Sequence, residues 1–373
     1  MASMSTPSAA TPYFEQTRIV SLILGSFFVV FLPIAALQVF ASAWPVTRYL
    51  AIGEAVGLGV THFFITLAVY FRGDTLDHFV STRRNRLAYL YMPLVVFLVF
   101  ATLAAIDVRR LYPMFAAAFF GTVRFFDFFH VGRQSFGMLQ IFKRPLGARV
   151  PAHLRAAENT FFVAMAALQW ETFVVGGGFA SHALYARLPA VALAVLAGII
   201  AVGYLRLLPQ AGRAVWIPLG YFLMQAVCAA TAAWQTHLYL VALTLHYVEY
   251  HVIMAPRCFR LPLDPTRGID RAFAPVRARP WLFYAILLAV VVLFEQRDAI
   301  SPGSPAARFL VHAFDGIFVV HYLVEAFLWK FREPYYRRTL APLYFPASAP
   351  ATAIAPATPV APDAQPASGN AAP

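Results

Sequence analysis

The sequence predicts an all-α, polytopic integral membrane bundle of about ten transmembrane helices with both termini cytoplasmic. Three observations predict it. Hydrophobic residues make up 60% of the chain and charged residues 12%, with a mean hydropathy of +0.66, outside the usual range of soluble domains. Apolar runs of about twenty residues, the length a helix needs to cross a bilayer, recur along the chain. Arginine clusters alternate with loops poorer in cations, as the positive-inside rule requires.

The polar segment 1–17 leads into a first apolar run that lacks a cleavage-type end, so that run reads as a retained helix and not a signal peptide. The expected spans are 18–41, 48–71, 87–108, 111–131, 156–176, 188–208, 214–234, 235–255, 279–294 and 307–331. The fourth has a pattern that lets it continue as helix to Phe142. Almost nothing separates the seventh from the eighth, which requires a tight helical hairpin or a re-entrant segment. Cation-rich segments 72–86, 143–155, 207–213, 257–277 and 330–338 set the cytoplasmic side, with Arg109 and Arg110 dissenting. The membrane domain is expected over 18–341. An Ala/Pro-rich segment, 342–373, follows as a disordered cytoplasmic tail.

The net charge of +12 comes mainly from arginine in short loops, which directs it to the anionic cytoplasmic leaflet. No basic domain with interleaved aromatics is present, so nucleic acid is excluded as a partner. Cys228 and Cys258 are far apart and lack metal-type spacing, which argues against disulfides and thiolate metal sites. The expected location is a bacterial inner membrane. No internal repeat is visible, which weakens a transporter reading.

Chemistry is carried by ionisable groups inside the apolar runs, which are costly there and usually face a bundle interior. In the expected topology His62, His246 and His321 each lie about ten residues from the cytoplasmic end of their helix, roughly 13–15 Å at helical rise. His130, His251 and Glu325 fall in the same half. His321 and Glu325 are four residues apart and share a helical face, as do His246 and Glu249 at a spacing of three. His251 is about 140° from His246 on a regular helix, so the two serve one site only if the helix is distorted or the site wide. Asp127, His130 and Gln134 form a polar stripe in which Asp127 or Gln134 would orient the imidazole. His62 follows Gly53, Gly57 and Gly59, small residues that permit close packing inside the bundle. Each position alone also fits a structural hydrogen bond or a headgroup contact; their common depth is what points to a shared site.

Imidazole with carboxylate is the ligand set of catalytic metals. The expected ligands are His62, His130, His246, His251 and His321, with Glu249 and Glu325 as catalytic or bridging carboxylates. Asp127 and Gln134 would stand behind them. His312 points to the opposite face, His182 and His237 belong near the far surface, and Glu171 lies in the outer half of its helix. His78 and His153 sit in cytoplasmic loops, solvated by default, though either could fold over the site. In residue types the chain is similar to the histidine-rich membrane di-iron desaturases and hydroxylases. It lacks their His-x-x-x-His and His-x-x-His-His boxes, so no ligand is carried over from them.

The expected function is therefore a membrane non-haem iron oxidoreductase, mononuclear or di-iron, acting on a lipidic or apolar substrate with a redox partner. Zinc is the alternative metal. Alternative functions are a bis-histidine haem protein and a proton-coupled transporter.

Overall fold

The computed structural model describes residues 17–40, 53, 55–67, 70, 72–106, 108–172, 183–234, 239–260, 263–295, 305–331 and 333–344. Every regular element among them is helical. In chain order the principal helices are α1 (17–40), α2 (55–67), α3 (Gly73–Val80), α4 (83–105), α5 (Pro113–Phe142), α6 (Ala152–Trp170) and α7 (Ala183–Leu205). They continue as α8 (Trp216–Trp234), α9 (Tyr239–Phe259), α10 (Gly268–Ala278), α11 (Pro280–Glu295), α12 (Pro305–Leu328) and α13 (Pro334–Thr339).

Local chemistry sets the boundaries. Proline opens α5, α11, α12 and α13, where its missing N–H costs nothing and its fixed φ suits the first turn. Arg279, held out of the helical region before Pro280, breaks α10 from α11, and the chain turns by 101° there. Helix α5 runs unbroken for 30 residues, about 45 Å, so the continuation of the fourth span to Phe142 is observed. Wider π turns interrupt α1 at Phe27–Phe31, α2 at Ala55–Val60 and α4 at Leu87–Tyr91.

Unlike in a soluble protein, apolar residues cover the outside of the bundle as well as its core. On α7, Leu188, Val191, Val195, Ile199 and Val202 recur at helical spacing on an exposed face, while Ile200 and Tyr204 are buried. On α4 the exposed set is Leu94, Val95, Leu98 and Val99. Inside, His62, Glu158, Glu249, Arg257 and His321 are each 1% exposed or less. An apolar surface of this extent, over a largely apolar core that also encloses charged groups, is stable only in lipid. The protein is accordingly an integral membrane protein. Five helices are long and apolar enough to cross a bilayer, or up to six if the bent α10–α11 pair counts as one span. Gly57–Thr66 of α2 and Gly316–Leu328 of α12 are shorter apolar stretches within the described residues.

Close packing draws the bundle together. A Cβ on Gly316 would stand 3.3 Å from the Phe97 Cα, so α12 and α4 lie nearly in backbone contact. Where α5, α6 and α7 meet, buried Glu158 accepts from Lys143 Nζ and from the Tyr204 hydroxyl at 2.6 Å.

Three basic segments meet at one end of the bundle, but they are not loops. Residues 72–86 fold into α3 and the start of α4, and 268–278 into α10. Asp270 binds them together: one carboxylate oxygen accepts from the Gly73 amide at 2.7 Å and the other from the Asp264 amide at 2.9 Å. Arg267 pairs with Asp77 at 2.7 Å, and the Tyr335 hydroxyl reaches Asp74 at 3.5 Å. Hydropathy missed these helices because they are amphipathic and charged. Chain near the expected tail boundary is also packed. Ala341–Tyr344 form a helical turn, and buried Tyr344 donates to the Ile253 carbonyl at 2.5 Å. Packed chain thus extends past 342, and residues 345–373 lie outside the described set.

Candidate metal centre

Four imidazoles from four helices converge in the bundle: His62 of α2, His130 of α5, His246 of α9 and His321 of α12. Their ring centres form a closed circuit, His62–His246 at 5.2 Å, His246–His130 at 5.3 Å, His130–His321 at 5.0 Å and His321–His62 at 4.8 Å. Neighbouring rings meet at 72–88°. A metal about 2.1 Å from each ring nitrogen, with angles of roughly 90–109° between ligands, would place ring centres about 4.6–5.3 Å apart. The observed spacings match that range.

Glu325 closes the set from one turn below His321. Its Oε2 lies 3.0 Å from His130 Nε2 and 3.4 Å from His321 Nε2. None of these three atoms has a hydrogen bond, so they approach one another without aligning donor to acceptor. The candidate ligand atoms of His130, His321 and Glu325 all lie within 4.8 Å of one another. His62 Nε2 and His246 Nδ1 are likewise buried and unpartnered. A buried polar atom costs about 1–3 kcal/mol if left unsatisfied. The ligand atoms of His130, His321 and Glu325 are close enough to share one cation, and the rings of His62 and His246 stand beside that group.

Surrounding groups fix the rings. The His62 Nδ1 bonds the Gly59 carbonyl at the end of the π turn, which leaves Nε2 facing inward. Gly59 itself is required by close approach, since a Cβ there would sit 2.9 Å from the Tyr247 ring. Thr66 Oγ1 lies 2.5 Å from His321 Nδ1 and 2.5 Å from the Tyr250 hydroxyl, which holds the other face of that imidazole. This is the usual device by which a second group sets tautomer and ring angle of a metal-bound histidine. Tyr250 and Tyr322, which sequence reasoning gave no role, and Thr66, which follows His62 on its helix, each lie four residues or fewer from a candidate histidine.

The remaining expected residues divide. Asp127 accepts from the Tyr322 hydroxyl at 2.5 Å and pairs with Arg124 at 3.1 Å. It therefore acts on His130 through the Tyr322 ring, whose centre is 4.6 Å from the imidazole. Gln134 donates to the His246 carbonyl at 3.0 Å, tying α5 to α9 instead of bonding His130. Glu249 turns toward α8, where Gln225 donates to it at 2.6 Å; its Oε2 is unpartnered. His251 points between α2 and α11, its Nε2 3.2 Å from Thr61 Oγ1 and 3.3 Å from the Leu58 carbonyl. Helix α9 is continuous here, so the 140° offset from His246 persists and His251 does not join the circuit.

His78 is not a solvated loop residue. It stacks on Tyr335 at 3.9 Å and 3°, away from the four rings. Burial lowers its pKa; Glu333 opposes that shift and Arg257 adds to it. His153 is exposed on α6, and Glu171 is half-buried at the end of that helix. His182 and His237 lie outside the described residues, as does the side chain of His312. Comparison with known families, curated proteins and solved structures returns no match for this chain.

Proposed function

We propose that the protein is a membrane-bound non-haem iron oxidoreductase of the oxygenase, desaturase or hydroxylase type, acting on a lipidic or otherwise apolar substrate. The observation that carries this reading is the convergence of unpartnered His130, His321 and Glu325 atoms with His62 and His246 beside them. Two imidazoles and one carboxylate are the facial set of non-haem iron oxygenases, and four imidazoles with a carboxylate exceed the tetrahedral shell of structural zinc. When bound, iron supplies the oxygen chemistry that unactivated carbon requires.

The chain supplies orientation and a dry setting. Phe63 and Phe318 pack against each other at 3.8 Å beside His62 and His321, and both help to exclude water. Thr66 and Gly59 hold the outer nitrogens of two ligands. Glu249, one turn from His246, keeps a buried carboxyl group available to carry a proton. A haem would require two axial rings on opposite faces of a flat macrocycle, whereas these rings meet edge to face around one point.

The reaction class is tested by oxygen uptake. Protein loaded anaerobically with ferrous ion and placed in lipid should consume oxygen only when a membrane-lipid extract containing substrate is present, and zinc-loaded protein should not. Equal activity with zinc, appearing as hydrolysis without oxygen uptake, would favour the hydrolase alternative.

The proposed topology is ten spans with both termini in the cytoplasm of a bacterial inner membrane, a membrane domain ending near Tyr344 and a disordered tail. The interlocking of 72–86 with 257–277 through Asp270 and Arg267 supports a common side for these segments. Cysteine-accessibility labelling should find both on the cytoplasmic face and 301–305 on the other. Labelling of the first two from opposite faces would refute this arrangement.

A further inference from the structure

Outside the metal centre, the described residues enclose a cleft of about 420 Å³ lined by His78, Arg84, Asn85, Lys330, Glu333 and Tyr335. We propose that this cleft seats the phosphate head group of an anionic phospholipid. The inference does not depend on the metal centre. Two independent observations carry it.

The first is the lining and its level. Arg84 and Lys330 outnumber the single carboxylate of Glu333, and the wall is formed by the parallel His78–Tyr335 stack. Arg84 stands in the first turn of the apolar span Arg83–Leu103, and Lys330 follows the last residue of α12, Leu328. A candidate span and a second apolar helix therefore end at the cleft, where head groups would meet them if both cross the bilayer. A phosphate diester has the charge and acceptor oxygens that an arginine and a lysine recognise there.

The second is a buried cation behind the wall. The Arg257 side chain is 1% exposed, and its Nε and Nη1 have no hydrogen-bond partner. Its guanidinium lies 5.9 Å from the Tyr336 ring centre, and that ring packs edge-on against both His78 at 5.5 Å and Tyr335 at 5.1 Å. A guanidinium remains charged, and among the described residues no carboxylate is recorded in an ion pair with this one, an unfavourable state for a charge removed from water. An anion in the cleft would offset that charge across two aromatic layers, Tyr336 and then the His78–Tyr335 stack.

The test uses the full chain in a zwitterionic detergent. Thermal denaturation is followed while short-chain phosphatidylglycerol or phosphatidylcholine is added, with inorganic phosphate and glycerol 3-phosphate in separate arms. Phosphatidylglycerol should raise the transition temperature saturably, and phosphatidylcholine and the two soluble phosphates should not. In the double variant Arg84→Gln/Lys330→Gln the half-saturating lipid concentration should rise roughly tenfold or more, at the usual contribution of basic residues near an anionic surface. Arg155→Gln, which removes an exposed arginine elsewhere, should follow the wild type. Arg84 is exposed and Lys330 half-buried against the Phe327 ring, so circular dichroism of the double variant checks that it folds. An unchanged half-saturation in the double variant would overturn the proposal. So would an equal response to phosphatidylcholine, or a saturable response to inorganic phosphate that identified a soluble anion as the ligand.

Discussion

His321→Ala is expected to lower iron affinity by more than about a hundredfold, because it removes an inward nitrogen and frees Thr66 at once. Loss of a group that only orients a ligand typically costs roughly tenfold to a hundredfold, so losing the ligand itself must exceed that range. Thr66→Val sets the lower bar. It keeps the shape of the side chain, removes the oxygen 2.5 Å from His321 Nδ1, and should weaken metal binding by about tenfold to a hundredfold. Gel filtration and circular dichroism would verify that both variants fold, and competition with a chelator would give the affinities. His321→Ala with wild-type affinity would remove that imidazole from the coordination sphere.

Glu158→Ala should produce the largest loss of stability, about 3–5 kcal/mol, since it leaves the Lys143 ammonium buried and unpaired. It also strands the Tyr204 hydroxyl, which donates to Glu158 at 2.6 Å. The double variant Lys143→Met/Glu158→Leu should recover most of that loss, because replacing both charges with apolar groups removes the need for pairing. Denaturation of the purified protein in detergent reads both. If Glu158→Ala costs less than about 1 kcal/mol, the pair behaves as a solvated one and its burial is not structural.

Much of the centre was legible because depth along a helix can be counted. His62, His246 and His321 lie at similar distances from arginine-rich ends, and the structure brings all three together with His130. Rotation about the helix axis is harder to read. Each residue turns the direction by about 100°, so Glu249 and His251, only three and five positions from His246, face α8 and α2. Asp127 was expected beside His130, but Tyr322, from a helix almost two hundred residues away, stands between their functions. Pairings of that range leave no trace in local periodicity. Helices α3 and α10 went unread for a different reason: their segments are rich in charge, and hydropathy alone treats such stretches as loop.

The most direct test of the account is metal analysis of the purified wild-type protein combined with X-ray absorption at the iron edge. The protein is expected to carry roughly one iron per chain, bound by nitrogen and oxygen donors with the outer-shell scattering of imidazole, and to show no haem absorption band. Protein purified without chelators that carries no stoichiometric metal, and binds none when iron or zinc is supplied, would contradict this expectation.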